Sequence, residues 1–586
     1  MKFRNDDLPD DFQTFLHALA RPEAFPPEAR VTPGATISIM QTHASAVLLT
    51  ETRAYKLKKP VNLEFLDYST AERRRRFCIE ECAINQALAP GVYLGVAPVL
   101  SRPDGAPRFG AAFPVSQVPS LGAWIEDQQV VDFAVVMRRL PESRTLASLV
   151  SAGEANGDLL RQVARATARF HLAAENGPPL SPYGTVETVL ANIIQTLDQS
   201  EADIGVTISG ETHAAIRRYI TRFVERKREL LESRLRAGWV RDCHGDLRLE
   251  HVYAIPAEPG DGENRVNLLM VDRIEFDPRF RYGDVAGEIA FLVIELERAG
   301  RLDLARAFTR AYIEETGVSD LLEVLPLYQV YRAMVRGKVR SILLRQSGLD
   351  SMTRASVRED AEAMYGLAAH HAAGPTEPVI ALMGGLMGTG KSTLARILHA
   401  ELGWPVISSD ILRKRMAGLP LTAPISARDQ QSIYSADWDR RVYERLMEEG
   451  SARLAEGRSI LLDATFTLRE RRQMIARLAR ETGARAIFLE CVCPSDVAIS
   501  RLNARWQAKI QLQGASDNRD VIFASDGRPE IYVHQALRWE PYNPGAEPDL
   551  DHAIIDTTRP YPQQVEHVFT ELGIPRLACW LDYTSE

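Results

Sequence analysis

The feature that most constrains the fold is a glycine-rich turn between a short apolar run and an amphipathic helix pattern. The turn reads Gly385-Leu386-Met387-Gly388-Thr389-Gly390-Lys391-Ser392 and follows the apolar residues Val379–Met383. Glycines at this spacing let backbone N–H groups converge on phosphate oxygens, and the N-terminus of the following helix adds partial positive charge. The pattern predicts a phosphate-binding loop at the end of a buried parallel strand.

The polar residues of this loop have expected roles. Lys391 is expected to reach the β- and γ-phosphates of ATP and to act in catalysis, and Ser392 is expected to contact Mg²⁺. Further nucleotide contacts are predicted for Gly385, Gly388, Thr389, Gly390, Ser392 and Thr393.

Two later apolar runs end in carboxylates. Val406–Ser409 leads into Asp410, and Ser459–Leu462 leads into Asp463. Asp410 could accept the proton of an incoming hydroxyl group, and it could also cap the next helix. Asp463 is the candidate carboxylate for Mg²⁺, which prefers oxygen ligands.

A second motif, which belongs to a different fold, lies upstream. His244-Gly245-Asp246 is typical of a kinase-like catalytic loop, in which the Asp accepts the proton of the substrate hydroxyl. The residue five positions later, usually Asn, helps to hold magnesium, and here it is His251. A strand that follows ends at Asp272, and either Asp272 or Glu275 could bind the metal. The position directly after the strand favours Asp272.

Lysines that could hold phosphate precede this motif. The run Ala54-Tyr55-Lys56-Leu57-Lys58 places both lysines on one face of a strand, because strand side chains alternate. Lys56 has the Ala-x-Lys spacing of the phosphate-binding kinase strand and is preferred, while Lys58 is the alternative. Glu81, on the next helix pattern, could pair with that lysine.

These residues together resemble the aminoglycoside phosphotransferase family of small-molecule kinases, over about residues 30–365. The whole chain further resembles a bacterial group in which an aminoglycoside-phosphotransferase-like domain precedes an ATP-binding domain. The stretches Tyr55–Pro60 and Arg273–Phe276 support this resemblance. It implies ATP and Mg²⁺ as cofactors. His251 departs from the family pattern, since an imidazole is a poorer Mg²⁺ ligand than an amide oxygen.

The second half carries its own resemblance. Arg413 and Lys414, one turn into the helix that follows Asp410, are basic groups that could hold an anionic substrate. Together with Asp410 they are similar to the Asp-x-x-Arg-Lys element of P-loop kinases related to polynucleotide kinase, zeta toxins and chloramphenicol phosphotransferase. In small P-loop kinases a lid supplies arginines that neutralise charge during transfer, and Arg501 and Arg505 occupy that place by resemblance. Solvent-facing helix positions are the alternative for both arginines. A lid is predicted over residues 511–530.

The expected fold class is α/β and α+β in two domains. A protein-kinase-like bilobal fold is predicted over residues 1–370, a linker over 371–378, and a P-loop domain with a parallel α/β sheet over 379–586. A chain of 586 residues exceeds the usual size of a single core. The linker is predicted from its small residues and prolines, directly before the apolar run of the phosphate loop.

Composition narrows the partners. The net charge is −8 and is spread without long blocks, so neither nucleic acid nor a membrane surface is expected as a partner. The six cysteines lie at scattered positions, and their spacing predicts neither a zinc array nor a disulfide framework. The first residues lack an apolar leader, so a cytoplasmic location is expected.

The expected activity is phosphoryl transfer from ATP to hydroxyl groups of small molecules at two sites, which would make the protein a bifunctional kinase. In the alternative, the N-terminal domain is a non-catalytic nucleotide-binding regulator of a C-terminal kinase of small molecules or of nucleic-acid 5′-hydroxyls. The sequence specifies neither the acceptors nor the oligomeric state.

Overall fold

The computed structural model has a mixed α/β architecture. It describes residues 10–42, 44–63, 66–101, 105–118, 130–256, 266–345, 349–421, 433–511 and 529–575. Within these ranges, no helix is both long enough and apolar enough to cross a membrane.

The first half contains a six-stranded antiparallel sheet with strand order β1-β2-β3-β8-β6-β7. Its strands are β1 (Ser38–Gln41), β2 (Ser45–Leu49), β3 (Arg53–Lys58), β6 (Tyr93–Ser101), β7 (Pro107–Phe109) and β8 (Val130–Arg138). Helix α1 (Asp10–Leu19) precedes the sheet, and helix α2 (Ala71–Asn85) packs on it. The Thr70 side chain caps α2 by accepting a hydrogen bond from the N–H of Arg73.

Three antiparallel strand pairs accompany this sheet. They are β4 (Asn62–Leu63) with β5 (Leu66–Asp67), β9 (Val240–Asp242) with β12 (Tyr282–Asp284), and β10 (Val252–Pro256) with β11 (Val266–Met270). The segment 243–251 therefore runs between β9 and β10, and each of these strands is held by a partner. This places the His-Gly-Asp motif in a loop with two fixed ends.

Helices form the rest of this half. They are α3 (Leu146–Ser151), α4 (Gly157–Ala173), α5 (Val186–Gln199), α6 (Gly210–Arg226), α7 (Arg228–Arg236), α8 (Pro278–Arg281), α9 (Val285–Arg298), α10 (Leu302–Thr316), α11 (Leu321–Leu344) and α12 (Ser351–Ala372). Apart from the short helix α8, they share one continuous apolar core. Helix α9 is buried along almost its whole length, so it forms the centre of this core.

The second half is built on a parallel five-stranded sheet with order β14-β15-β13-β16-β17. Its strands are β13 (Val379–Gly384), β14 (Val406–Ser408), β15 (Ile460–Asp463), β16 (Arg485–Val492) and β17 (Asp551–Asp556). Its helices are α13 (Lys391–Leu402), α14 (Ser409–Met416), α15 (Ala436–Ala455), α16 (Arg469–Thr482), α17 (Ser495–Gln511), α18 (Pro529–Leu537) and α19 (Tyr561–Leu572). Apolar clusters cover both faces of the sheet, as expected for parallel strands.

Two buried glutamates join the halves. Glu401, at the end of α13, accepts hydrogen bonds from Arg306 and Arg310 of α10, the latter at 2.9 Å. Glu323 on α11 accepts from Arg458 Nε at 2.9 Å. It also accepts from the backbone N–H of Ser459, just before β15, at 3.3 Å. The helix that follows the glycine-rich loop is thus tied by charge to the helical half.

The structure corrects one expectation and leaves another as a prediction. Asp410 does not cap a helix, because Ser408 occupies the N-cap position and Asp410 lies in the first turn of α14. Most of the predicted lid, over 511–530, lies outside the described residues. The parallel sheet after residue 378 agrees with the alternation of apolar runs and helix patterns.

Candidate functional site

The glycine-rich loop is held in a backbone form that only glycine adopts readily. Gly385, Gly388 and Gly390 have φ angles of 127°, 81° and 94°. A Cβ atom added at Gly385 would lie 2.3 Å from the carbonyl oxygen of Cys491, and one at Gly388 would lie 2.6 Å from that of Ala498. The loop therefore lies against the end of β16 and against α17, and a side chain at either position would displace it.

Lys391, Ser392 and Asp463 meet beneath this loop. Lys391 opens α13, and its Nζ donates a hydrogen bond to the carbonyl of Leu386 across the loop at 2.9 Å. Asp463 ends β15, and its carboxylate is hydrogen-bonded to the Ser392 hydroxyl. Burial raises the pKa of Asp463 despite the nearby ammonium, and burial lowers the pKa of Lys391 despite the carboxylate. A lysine, a hydroxyl and a carboxylate thus face the space where the loop would hold phosphate.

A cavity of about 1230 Å³ opens above these groups. Asp410, Arg501 and Arg505 line it together with Lys391 and Asp463. The remaining lining residues include Ser409, Arg413, Tyr434, Asp439, Tyr443, Thr557 and Tyr561. The volume exceeds that of most small-ligand pockets, so it has room for two molecules side by side.

The basic residues around this cavity are already engaged. Arg413 donates to Asp439 at 2.6 Å. Lys414 is 1% exposed and donates to the carbonyl of Leu421, so it does not face the cavity. Arg501 donates to the carbonyl of Thr557 at 2.9 Å. The expectation that Lys414 helps to hold an anionic acceptor is therefore wrong.

A buried ion pair fixes the backbone that follows Asp463. Arg472 and Glu547 are both fully buried at the side chain, and Arg472 Nε donates to Glu547 at 2.6 Å. Arg472 Nη1 also donates to the carbonyl of Phe466 at 2.9 Å. Phe466 has a φ of 49°, which is unusual for a bulky residue. The ion pair therefore stabilises this strained turn, which begins directly after the end of β15.

A second polar cluster lies between the antiparallel sheet and the catalytic-loop motif. Lys56 Nζ donates to Glu81 at 2.9 Å and also to Asp272. Burial alone would lower the pKa of Lys56, but the carboxylates of Asp272 and Glu81 raise it well above its ordinary value. The backbone of Asp272 has a φ of 66° and donates its N–H to the hydroxyl of Tyr93. The predicted lysine, glutamate and aspartate are therefore in direct contact.

Lys58 and Glu275 lie deeper in the same cluster. Lys58 is 1% exposed and donates to Glu275 and, at 2.7 Å, to the second oxygen of Glu81. The hydroxyl of Tyr68 also donates to Glu275. The Asp272 side chain is 45% exposed, whereas that of Glu275 is 5% exposed. Of the two alternatives in each pair, Lys56 and Asp272 are the ones nearer to the open side.

The catalytic-loop backbone is held by glutamates of α9. The carboxylate of Glu288 accepts the N–H groups of Gly245 and Leu247, each at 3.0 Å, and Glu295 accepts that of Leu249 at 2.8 Å. Burial raises the pKa of Glu288, although the backbone hydrogen bonds by themselves would lower it. Sequence reasoning missed the role of both glutamates, because nothing in their spacing reveals a partner on a remote loop.

The group around Asp246 contains His251 at the position where kinase-like loops usually have Asn. His251 Nδ1 lies 2.8 Å from the backbone oxygen of Asp246 and 3.7 Å from its carboxylate. The other ring nitrogen lies 3.9 Å from Asp272. Arg248, which sequence reasoning did not single out, lies 3.7 Å from the carboxylate of Asp246. Asp246, His251 and Asp272 thus form one group, in which the His251 ring lies between the two aspartates and is hydrogen-bonded to the backbone of Asp246.

The parallel sheet and the site at the glycine-rich loop define a P-loop nucleotide-binding protein. Residues 380–517 match the family model described as an AAA domain. A shikimate kinase from Bradyrhizobium diazoefficiens is 29% identical over 153 residues, which cover 26% of this chain and 67% of that enzyme.

Much longer similarity exists to mycobacterial proteins. Uncharacterized protein Rv2004c of Mycobacterium tuberculosis is 31% identical over 469 residues, which cover 80% of this chain and 86% of that protein. A protein of Mycobacterium bovis, Mb2027c, matches to the same extent. The chain belongs to the family that contains these mycobacterial proteins.

Solved structures align with either part of the chain. A sugar kinase from Janibacter sp. HTCC2649 covers 34% of this chain and 96% of its own, with 21% identity and a TM-score of 0.23. A choline/ethanolamine kinase family protein from Mesorhizobium loti covers 62% of this chain and 98% of its own, with 11% identity and a TM-score of 0.32. At these scores the likeness carries no conclusion about function.

Proposed function

We propose that the protein is an ATP-dependent phosphotransferase that acts on hydroxyl groups of small molecules, and that its second half contains the principal active site. The observation that carries this proposal is the convergence of Lys391, Ser392, Asp463 and Asp410 on one cavity at the carboxyl ends of three parallel strands. Ligands of open α/β sheets bind at this edge. The similarity to a shikimate kinase over 153 residues supports the same class of reaction.

The residues of the P-loop site fit a Mg²⁺–nucleotide complex. The left-handed glycines and the N-terminus of α13 form a cradle for phosphate oxygens, and Lys391 would turn from the carbonyl of Leu386 toward them. Ser392 and Asp463, already hydrogen-bonded to each other, offer the hydroxyl and carboxylate oxygens that Mg²⁺ prefers. When bound, the ion supplies charge neutralisation to the phosphates.

Asp410 and the lid arginines complete the proposed chemistry. Asp410 faces the same cavity as Lys391, so it would accept the proton of the acceptor hydroxyl. Arg501 and Arg505 would balance the negative charge that develops during transfer. Since Arg413 is neutralised by Asp439 and Lys414 faces away, the pocket favours an uncharged polyhydroxyl acceptor over a strongly anionic one.

The first half would hold a second ATP site in a separate, kinase-like domain. Lys56, oriented by Glu81, would hold phosphate oxygens, Asp246 would serve as the base, and Asp272 with His251 would approach the metal. The direct contact of Lys56 with both carboxylates supports this assignment. In the alternative, the site in the first half binds nucleotide without transferring phosphate, and it regulates the P-loop site.

Transfer of the labelled γ-phosphate of ATP into a metabolite extract tests both sites at once. We expect wild-type protein to form labelled products, and Asp246→Asn to remove one of them by about 10²–10⁴-fold, because a general base contributes about that much. Asp158→Asn, which changes an exposed carboxylate in the first turn of α4, serves as the control. If wild-type protein labels no acceptor, the proposed activity is wrong. If Asp246→Asn removes no product, the first half is the regulator.

Replacement of Asp463 by Asn should change how stability depends on pH. The raised pKa means that the folded protein disfavours the ionised carboxylate. The Tm of nucleotide-free wild-type protein, taken relative to that of Asp463→Asn, should therefore fall as the pH rises through the pKa of Asp463. A relative change of about 1 kcal/mol corresponds to about 2–4 °C in a unit of this size. Calorimetry at several pH values checks this sign, and a relative Tm that rises with pH would contradict it.

A further inference from the structure

A buried cluster of three metal-binding residue types lies behind the catalytic loop. His171 is on α4, Cys243 directly precedes His244, and Glu288 is on α9. Their side chains are almost fully buried, and one ligand atom from each lies within 4.8 Å of the other two. The three residues come from distant parts of the chain, so no sequence spacing could reveal them.

The imidazole of His171 carries the main observation. Its Nδ1 lies 2.8 Å from the hydroxyl of Tyr312, which leaves Nε2 to face the interior. Nε2 is buried and has no hydrogen-bond partner among the residues that the structure describes. A buried nitrogen without a partner is unfavourable and needs an explanation. Burial also lowers the pKa of His171 to about 3, so the ring is neutral and keeps a lone pair.

We propose that His171 Nε2, Cys243 Sγ and the carboxylate of Glu288 bind a divalent ion of the zinc type. Nitrogen, sulfur and oxygen donors together are the set that Zn²⁺ accepts. A thiolate and a carboxylate would balance the charge of the ion itself, which makes its desolvation less costly. The guanidinium groups of Arg241 and Arg273 lie close enough to act on His171. Binding converts the Cys243 thiol to a thiolate and releases one proton to solvent.

The surroundings leave room for a fourth ligand. A cavity of about 50 Å³ is lined by Cys243, Gly245 and Glu288, although not by His171, and a water molecule needs only about 10–15 Å³ of such space. A water ligand would therefore approach the ion from the side of Cys243 and Glu288. Metal–ligand bonds of about 2.0–2.3 Å place tetrahedral ligand atoms about 3.3–3.8 Å apart, so these side chains would have to close by about an ångström. The carboxylate of Glu288 accepts the N–H groups of Gly245 and Leu247, one on each oxygen, and also has a backbone hydrogen bond to His244. One of its lone pairs therefore remains for the ion.

This site differs from the proposed Mg²⁺ site at Asp272. It lies on the inner side of the catalytic loop, where Glu288 already holds the N–H groups of Gly245 and Leu247. An ion there would join α4, α9 and the start of the loop. Its role would be structural: it would fix the base of the loop that carries Asp246.

Metal titration of the full chain tests the assignment. Protein dialysed against a chelator should bind one equivalent of Zn²⁺, or of Co²⁺ with a thiolate-to-cobalt absorption band in the near ultraviolet. Cys243→Ser and His171→Gln should each weaken Zn²⁺ affinity by at least about 100-fold, because each removes a direct ligand. Cys82→Ser, which changes a buried cysteine of α2, should bind as the wild type does.

X-ray absorption at the zinc edge uses the wild-type protein, so it tests the ligands even if a variant does not fold. The wild-type protein with one equivalent of Zn²⁺ should show one sulfur among nitrogen and oxygen ligands. Binding of less than half an equivalent, a sulfur count of zero or of two or more, or unchanged affinity in Cys243→Ser would each overturn the proposal.

Discussion

Lys391→Ala is expected to reduce phosphoryl transfer at the P-loop site by about 10³-fold, the effect of removing one preorganised donor to a developing charge. The Lys391 ammonium is 9% exposed and donates to a carbonyl of the same loop that would hold the phosphates. Alanine keeps the helix start but removes the only charge that the loop itself carries. The loss should therefore appear in kcat more than in the folding of the chain.

The measurement is the initial rate of each labelled product in the extract assay, together with thermal unfolding. Arg396→Ala, further along α13, is the matched control, because its hydrogen bonds within the described part of the chain stay inside its own helix. We expect this control to keep the wild-type rate within about twofold. A Lys391→Ala protein that is folded and still transfers phosphate at half the wild-type rate would rule out the P-loop site as the catalytic one.

Arg472→Met is expected to destabilise the second half by about 3–5 kcal/mol, since it removes the bidentate partner of a fully buried Glu547 and leaves only Arg469, at 3.6 Å, as a cation beside it. Both side chains are fully buried, and the arginine also holds the carbonyl of Phe466 in the turn after Asp463. Loss of that bond should loosen the end of β15. We therefore expect weaker nucleotide binding in addition to the lower stability.

Chemical denaturation with the double variant Arg472→Met/Glu547→Leu separates charge from packing. Replacing both partners by apolar residues should recover part of the loss, because no charge then remains buried. Recovery should be incomplete, as Glu547 also accepts the N–H of Asn543 at 3.1 Å. The control is Arg480→Met, which changes an exposed arginine on the same helix. It should change the free energy of unfolding by less than about 0.5 kcal/mol. Equal stability of Arg472→Met and the wild type would contradict the assigned role.

Local patterns were sufficient for much of the fold. The apolar run before Gly385 predicted β13, and the alternation around Lys56 predicted β3, because both signals depend on neighbours in sequence. The contact of Lys56 with Glu81 was also predictable, since the strand and the next helix have few ways to meet.

Long-range polar partners were not predictable in the same way. Nothing in the sequence pairs Lys58 with Glu275, which are 217 positions apart, or Glu288 with the backbone of Gly245. Such contacts depend on tertiary packing that single-sequence patterns do not encode. The prediction that Lys414 holds an anionic substrate was wrong for the same reason. Its position on the helix did not reveal that its ammonium donates to the carbonyl of Leu421.

The buried glutamates between the halves have a practical consequence for dissecting the protein. Severing the chain between Ala372 and Val379 would strip Glu401 of Arg306 and Arg310. It would leave Glu323 with Lys227 of its own half, 3.6 Å away, but without Arg458. Each fragment would expose charged groups that pair with the other half in the intact chain. Separately expressed pieces should thus adhere to each other in a salt-sensitive manner, and mixing them should reconstitute a non-covalent pair.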